Sequence, residues 1–391
     1  MKRIISLLLC LVLVCMTLVS CKEDGFGYNG EYDKYISDEE RDPIVLDFCI
    51  VTGEATQLNA KKTVTASINQ FLGAKFNTTL NIHYITAENY EAEVLAAAKG
   101  EDTETTYRAD IVLVLGEDMF DTLYQENLLA DLTRYYDSKK YGLYDAEMFA
   151  RLNVLMSTKH LITASYVEDK IYTVPNDHVI GEYEFLLVKN DVVEKYYNYS
   201  LTEIKTWTDY SSEELVALRE RIDADGVFSS ADAIKYVTAG KYSDIAAYES
   251  EGYVCNIAKY PEVTRAEAFK SAFAIIKDAS DDGKPINGSD PAYMERYYRA
   301  MEVIYTINTD ATLRNYLQFG VQGPNYLLSA LDDTTTQVVR NDTGSGVYDM
   351  DLSHTGGIFN ALFCEELGWT PDVKDSALAQ NKDARLPDSN D

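Results

Sequence analysis

The stretch PIVLDFCIV, Pro43 to Val51, constrains the fold of this chain more than any other. Apart from Asp47 it is apolar at odd and even positions alike. A strand formed there is buried on both faces, as in a parallel sheet covered by helices on each side. Leu58, Val64, Ile68, Phe71, Leu72 and Phe76 follow at helical spacing. LNIHYI, Leu80 to Ile85, reads as a second strand, and Tyr90, Val94, Leu95 and Ala98 mark a second helix. ADIVLVLG, Ala109 to Gly116, reads as a third strand. This β-α-β-α-β run predicts an α/β fold whose first lobe is a doubly wound sheet. Such sheets take ligands at the carboxyl ends of their strands. Here those ends are Thr52–Gln57 and Gly116–Asp118.

Helical segments continue through residues 127–149. Two strand-like runs then flank a Pro-Asn-Asp-His turn in EDKIYTVPNDHVIGEYEFLLVKNDVV. Because they follow a complete three-strand unit, they are the expected exit from the first lobe. TWTDYSSEELVALRERI reads as a helix start with Thr208, Asp209 or Ser211 as cap and Trp207 packing beside it. YVCNIA (253–258) and SAFAII (271–276) read as strands. PAYMERYYRAMEVIYTINT, opening on Pro291, and ATLRNYLQF read as helices. NKDARLPDSND, at 381–391, has the composition of a disordered tail.

The chain begins with a different logic. Lys2 and Arg3 precede an apolar run, Ile4 to Val19, that is shorter than the roughly 20 residues a membrane span needs. It fits a secretory signal. The run ends Leu18-Val19-Ser20-Cys21, which resembles the bacterial lipobox, in which the Cys is acylated and becomes the first mature residue. Residues 1–20 are therefore expected to be a lipoprotein signal peptide and Cys21 the site of lipidation. Two or three acyl chains, palmitate among them, give stable anchoring where one is marginal. Residues 22–42 hold a single aliphatic residue, Ile36. With Cys21 they read as a flexible tether, 21–42, of roughly 25 Å reach. The G-x-G-x-x-G of Gly25 to Gly30 follows no strand, so it carries no dinucleotide reading.

The net charge of -29 repels nucleic acid, whose binding depends on neutralising phosphates. An apolar content of 46% and thirty tyrosines argue for a folded body large enough for two lobes. Cys49, Cys255 and Cys364 remain after the leader and read as three buried thiols, with one disulfide as the alternative. The four histidines, 83, 160, 178 and 354, form no metal motif, and no nucleophile elbow or P-loop is present. NDTGSGVYDMD, Asn341 to Asp351, lacks the spacing and final Glu of a calcium loop. Glu182/Glu184 and Asp349/Asp351 have the i, i+2 spacing that puts two carboxylates on one face of a strand, as a glycosidase could use. Among 64 acidic residues such pairs also arise by chance.

Four blocks occur in order: ADIVLVLGEDMFDTLYQENLLADLTRYY, then EDKIYTVPN…FLLVKNDVV…TWTDY, then AMEVIYTINTDATLRNYLQFGVQGPNYLL, then DMDLSHTGGIFNALFCEELGW. Together they resemble the extracellular solute-binding lipoproteins of bacterial ABC importers, family 1, whose best-known members bind sugars and oligosaccharides. The resemblance spans residues 44–381. Its most specific part is NTD…RNYLQFGVQGPNY, close to a family pattern of a helix followed by Tyr-Gly-x-Glu-Gly-x-x-Tyr. Phe319 and Gln322 replace the Tyr and Glu of that pattern, and Gly357 stands where the family often has Asn. The segment before YVCNIA is shorter than in the family, and the chain stops soon after AQNKDARLP, which implies a reduced second lobe.

The resemblance implies a two-lobe, hinge-linked fold of the type II periplasmic-binding-protein kind. Lobe 1 would comprise 43–180 and 261–330, and lobe 2 would comprise 181–260 and 331–391, with crossings near Val179 to Gly181, Tyr260 and Ala330. It also implies a monomer without cofactor, metal or catalysis. Such a protein would sit on the extracytoplasmic face of the membrane and pass a small solute to ABC permease subunits. The implied ligand residues are Glu54 after the first strand, Glu117 and Asp118 after the third, and Asn176, Glu182 and Tyr183 at the first crossing. Trp369 is a further aromatic candidate. Two other readings stay open at this level: a surface-anchored carbohydrate-active hydrolase, and a degenerate adhesion or signalling lipoprotein.

Overall fold

β1 (Ile44–Thr52) is the strand read from PIVLDFCIV, and Leu46, Phe48, Cys49 and Ile50 are fully buried in it. The computed structural model describes residues 42–100, 107–133, 156–196, 210–277 and 291–387. Cys21, the rest of the leader and tether up to residue 41, and Trp207 lie outside them. The chain divides into Met1–Asp42 and a body, Pro43–Asp391. Among the described residues, no helix is long and apolar enough to cross a membrane.

α1 (Leu58–Phe76) buries Ala60, Val64, Ile68, Leu72 and Phe76 on one face and ends at Asn77, whose φ of 50° is left-handed. β2 (Thr78–Thr86), α2 (Ala87–Lys99), β3 (Ile111–Val114) and α3 (Glu117–Gln125) follow. α4 (Met156–Ala164) leads to β4 (Thr173–Pro175). β1 pairs in parallel with β2 and β3. β8 (Ala272–Ile275) comes back much later and inserts antiparallel between β3 and β4. The five-stranded order is β2-β1-β3-β8-β4. Phe48 of β1 meets Phe273 of β8 at 5.7 Å between ring centroids, across the sheet's interior. Burying each such ring contributes on the order of 2–3 kcal/mol.

The second strand-like run joins a different sheet. β5 (Tyr183–Lys189), β6 (Ile234–Gly240) and β7 (Tyr253–Lys259) form a three-stranded antiparallel sheet with β5 central. Leu186, Val188 and Val254 pack with Leu215, Leu218 and Ile222 of α5 (Glu213–Asp225). Tyr183, Phe185 and Leu187 belong to a second cluster with Tyr248 of α6 (Asp244–Ser250). The cap of α5 is Ser212, whose Oγ accepts from the Leu215 amide at 3.4 Å, one residue after the expected Ser211; Thr208 and Asp209 lie outside the described residues. Ser212 directly precedes the first helical Glu, the position from which a side chain reaches that amide.

Among the described residues two connections therefore link the sheets: residues 176–182 between β4 and β5, and residues 260–264 after β7. The second leads through α7 (Arg265–Phe269) into β8. α8 (Pro291–Thr309) packs on β1 and β8, and α9 (Ala311–Phe319) packs on α1 and α8. β9 (Tyr326–Ala330) and β10 (Thr336–Arg340) form a hairpin. α10 (Pro371–Asp383), capped by Thr370, closes the described chain. It overturns the reading of residues 381–387 as part of a disordered tail: Asn381 is buried, and Arg385 bridges to Glu262. The polar composition misleads there because the amides are spent on backbone partners.

Candidate functional site

The strand registers put the carboxyl ends of β1, β3 and β4 on one edge of the five-stranded sheet. Val114 lies opposite Ala272, and Ala272 opposite Pro175. Glu54, Glu117, Asp118 and Asn176 are thereby brought to a common edge. Glu54 and Asp118 are exposed. Glu117 is engaged: Arg265 holds it together with Asp121, at 2.6 Å from the latter, and lies over the rings of Phe120 and Phe269. Asn176 is 1% exposed; its Nδ2 donates to Ser271 Oγ at 2.9 Å, while its Oδ1 is buried without a hydrogen-bond partner.

Glu182 and Tyr183 stand at the far end of the first connection. Glu182 is exposed, and Tyr183 is fully buried, stacked on Phe185 at 5.3 Å. The Tyr183 hydroxyl donates to Asp383 Oδ2 at 2.9 Å, and burial with the adjacent Asp383 pushes its pKa up. Trp369 is buried in an apolar cluster. It is 2% exposed, packed edge-on against Phe359 with Ile358, Ala361 and Ala377.

The carboxylate pairs are occupied in part. Tyr236 donates to Glu184. Asp349 is paired with Arg340 at 2.6 Å, and Asp351 accepts from the Ser353 amide at 2.8 Å. Among the described residues there is no cluster of three or more His, Cys, Asp or Glu able to hold a metal. Cys49 and Cys364 are buried free thiols and Cys255 is a half-buried one; burial raises Cys49 to about 12.

Sequence reading missed what forms the rim of this edge. Residues 347–362, expected with the second lobe, bond to β1, α8 and α9. The Asp349 carbonyl accepts from the Gly53 amide at 2.8 Å and from Thr56 Oγ1 at 2.9 Å. Ser271 Oγ donates to the Ser353 carbonyl at 2.6 Å, and the Ile358 amide to the Asp177 carbonyl at 2.9 Å. Arg314, with no exposed surface, donates to the carbonyls of Gly357 at 3.0 Å and Leu352 at 2.8 Å. Gln318 donates to Met350 O at 2.8 Å, and Asn308 Oδ1 accepts from the Gly357 amide at 2.9 Å. Arg314, Asn315 and Gln318 are buried with Leu313, Leu317 and Phe319 around most of this short helix, so no single apolar stripe marks its buried side in the sequence. Those buried donors are why RNYLQF and DMDLSHTGGIFN occur together: the first holds the second in place.

Both connections converge behind the edge. His178 Nδ1 lies 2.9 Å from Asn176 O and its Nε2 2.7 Å from Glu267 Oε2 of α7. At Gly181, φ is +55°, and an added Cβ would stand 3.2 Å from Pro261 Cβ, so the two connections touch there. His354 on the rim is partly buried; burial lowers its pKa against the pull of Asp351.

This architecture, two α/β sheets joined by closely spaced connections, is the fold of the extracellular solute-binding proteins. The N-glycan transport solute-binding protein of Streptococcus pneumoniae superposes with a TM-score of 0.51, over 89% of this chain and 84% of that one, at 15% identity. The same protein in complex with Man1GlcNAc gives 0.50, with 88% and 84% covered at 14% identity. No protein-family model matches the chain, and no curated protein sequence does.

Proposed function

We propose that this chain is a lipid-anchored, extracytoplasmic solute-binding protein that captures a carbohydrate between two lobes and passes it unaltered to the permease of an ABC importer. The observation that carries the reading is the meeting of Glu54, Asp118 and Asn176 at one sheet edge, in front of the two connections to the second sheet. Carboxylates and amides are what adjacent sugar hydroxyls need, because charged acceptors make the stronger hydrogen bonds. Glu182, across the first connection, would complete a set contributed by both lobes. Contacts made by both lobes are those that stabilise a closed state over an open one.

Glu117 is taken up by Arg265 and Tyr183 by Asp383, so neither is counted among the groups that would touch the solute. Trp369 supports the rim through Phe359. A fold shared with a glycan-binding protein supports sugar as the solute class. Acylated Cys21 and its tether would keep the binder beside the permease. The occupied partners of Glu184, Asp349 and Asp351 weigh against a two-carboxylate hydrolase.

The test is a thermal-shift and calorimetric screen against mono- and oligosaccharides, with product analysis of each mixture. At least one sugar should raise the melting temperature, and Glu54→Ala and Asp118→Ala should each weaken it by about tenfold or more. Sugar cleavage with turnover, or no stabilisation by any member of the panel, would overturn the proposal.

A further inference from the structure

α10 and the residues just after it hold both connections at once. We propose that residues 371–387 are a strap that fixes the angle between the two sheets before any ligand is bound. This inference rests on the hinged, two-lobe part of the function proposed above.

The grip on the first connection is made by two amide side chains. Gln380 Nε2 donates to the carbonyls of Ile180 at 3.0 Å and Gly181 at 2.7 Å. Asn381 donates to His178 O at 2.6 Å and accepts from the Ile180 amide at 2.9 Å. The grip on the second connection is main-chain. The Arg385 amide donates to Pro261 O at 2.9 Å, its carbonyl accepts from Val263 N at 2.8 Å, and its guanidinium lies 3.9 Å from the Tyr260 ring centre. Leu161 of α4, Ile180, Val263 and Ala384 close one apolar knot, so a helix beside β4, both connections and the strap share a core. Apolar contacts and backbone pairing of this kind move as a unit.

Toward the three-stranded sheet the strap makes two further hydrogen bonds. Gln380 Oε1 accepts from the Tyr242 amide at 3.1 Å, in the turn after β6, and Asp383 accepts from the Tyr183 hydroxyl at 2.9 Å, at the start of β5. Gln380 and Asn381 are 2% and 3% exposed, so water does not compete for these bonds in the resting geometry. A rotation about residues 176–182 and 260–264 carries Tyr183 and Tyr242 with the second sheet while the knot stays with the first. These two bonds are then the ones stretched, and they act as the latch of the hinge. The strap thus opposes free swinging and makes the unliganded protein sample one narrow range of angles.

The experiment measures that range directly on the full chain without ligand. Ketone-bearing residues at positions 45 and 227, exposed in β1 and just after α5, carry spin labels, which leaves every cysteine unlabelled. Electron-electron resonance should give a narrow distance distribution for the parent. Tyr183→Phe keeps the ring on Phe185 and removes the hydroxyl; Gln380→Met removes the amide at similar length. Each should broaden the distribution, and together they should widen it about twofold. Cooperative thermal unfolding verifies that the variants are folded, and if the double variant does not fold, Tyr183→Phe alone decides. An unchanged distribution in folded variants overturns the strap. Because no sugar is present, that result leaves solute capture standing, and a failed sugar screen leaves the strap standing.

Discussion

His178 shows how a single side chain is committed by its surroundings. Buried to 6% exposure, it faces an acceptor at each ring nitrogen, the Asn176 carbonyl and the Glu267 carboxylate. For Glu267, burial pushes the pKa up, but the hydrogen bond and charge of His178, with help from Lys270, outweigh it and hold the carboxyl below its usual value of 4.5. A carboxyl lowered on folding contributes stability above its unfolded pKa and loses it as pH falls through the folded one. Urea unfolding of the parent should therefore weaken more steeply between about pH 5 and pH 3 than that of Glu267→Gln. At pH 7 the same substitution should cost about 1–3 kcal/mol. Parallel pH curves for the two proteins would contradict this role. The pairing was not legible in the sequence, since the partners are 89 positions apart and neither sits in a motif.

At the scale of elements, period and punctuation revealed β1, α1, β2, α2 and β3, because each carries its own apolar pattern. They did not reveal that SAFAII inserts between β3 and a three-residue β4, since long-range pairing leaves no local trace. The edge candidates Glu54, Asp118 and Asn176 were legible for the same reason as the strands: a strand's end is visible wherever the strand is. The rim was not, because its anchors, Arg314, Asn315 and Gln318, are polar residues in a core position. Gly181 is the element-scale test of how the connections meet. Its φ of +55° is strained for any residue with a Cβ, and that atom would press on Pro261 Cβ at 3.2 Å and on the Glu262 backbone at 3.3 Å. Gly181→Ala should cost about 1–3 kcal/mol in thermal unfolding, more than the ordinary penalty of a left-handed alanine. A variant as stable as the parent would mean the connections have room between them.

For the whole molecule, the acidic surface and the doubly wound first sheet exclude some partners and place the candidate site, but neither names the solute. At 14–15% identity, the likeness to the N-glycan transport protein is one of fold. What the fold offers is two sheets, a polar edge at the end of the first, and two touching connections that join them. In the proposed function a sugar is held by both sheets and draws them together. Small-angle X-ray scattering of the protein, alone and with a saturating oligosaccharide from the binding screen, tests this most directly. The radius of gyration should fall on binding, and the fall should vanish in Glu182→Ala under the same conditions. A sugar that binds with no change in the scattering profile would contradict capture between the two lobes.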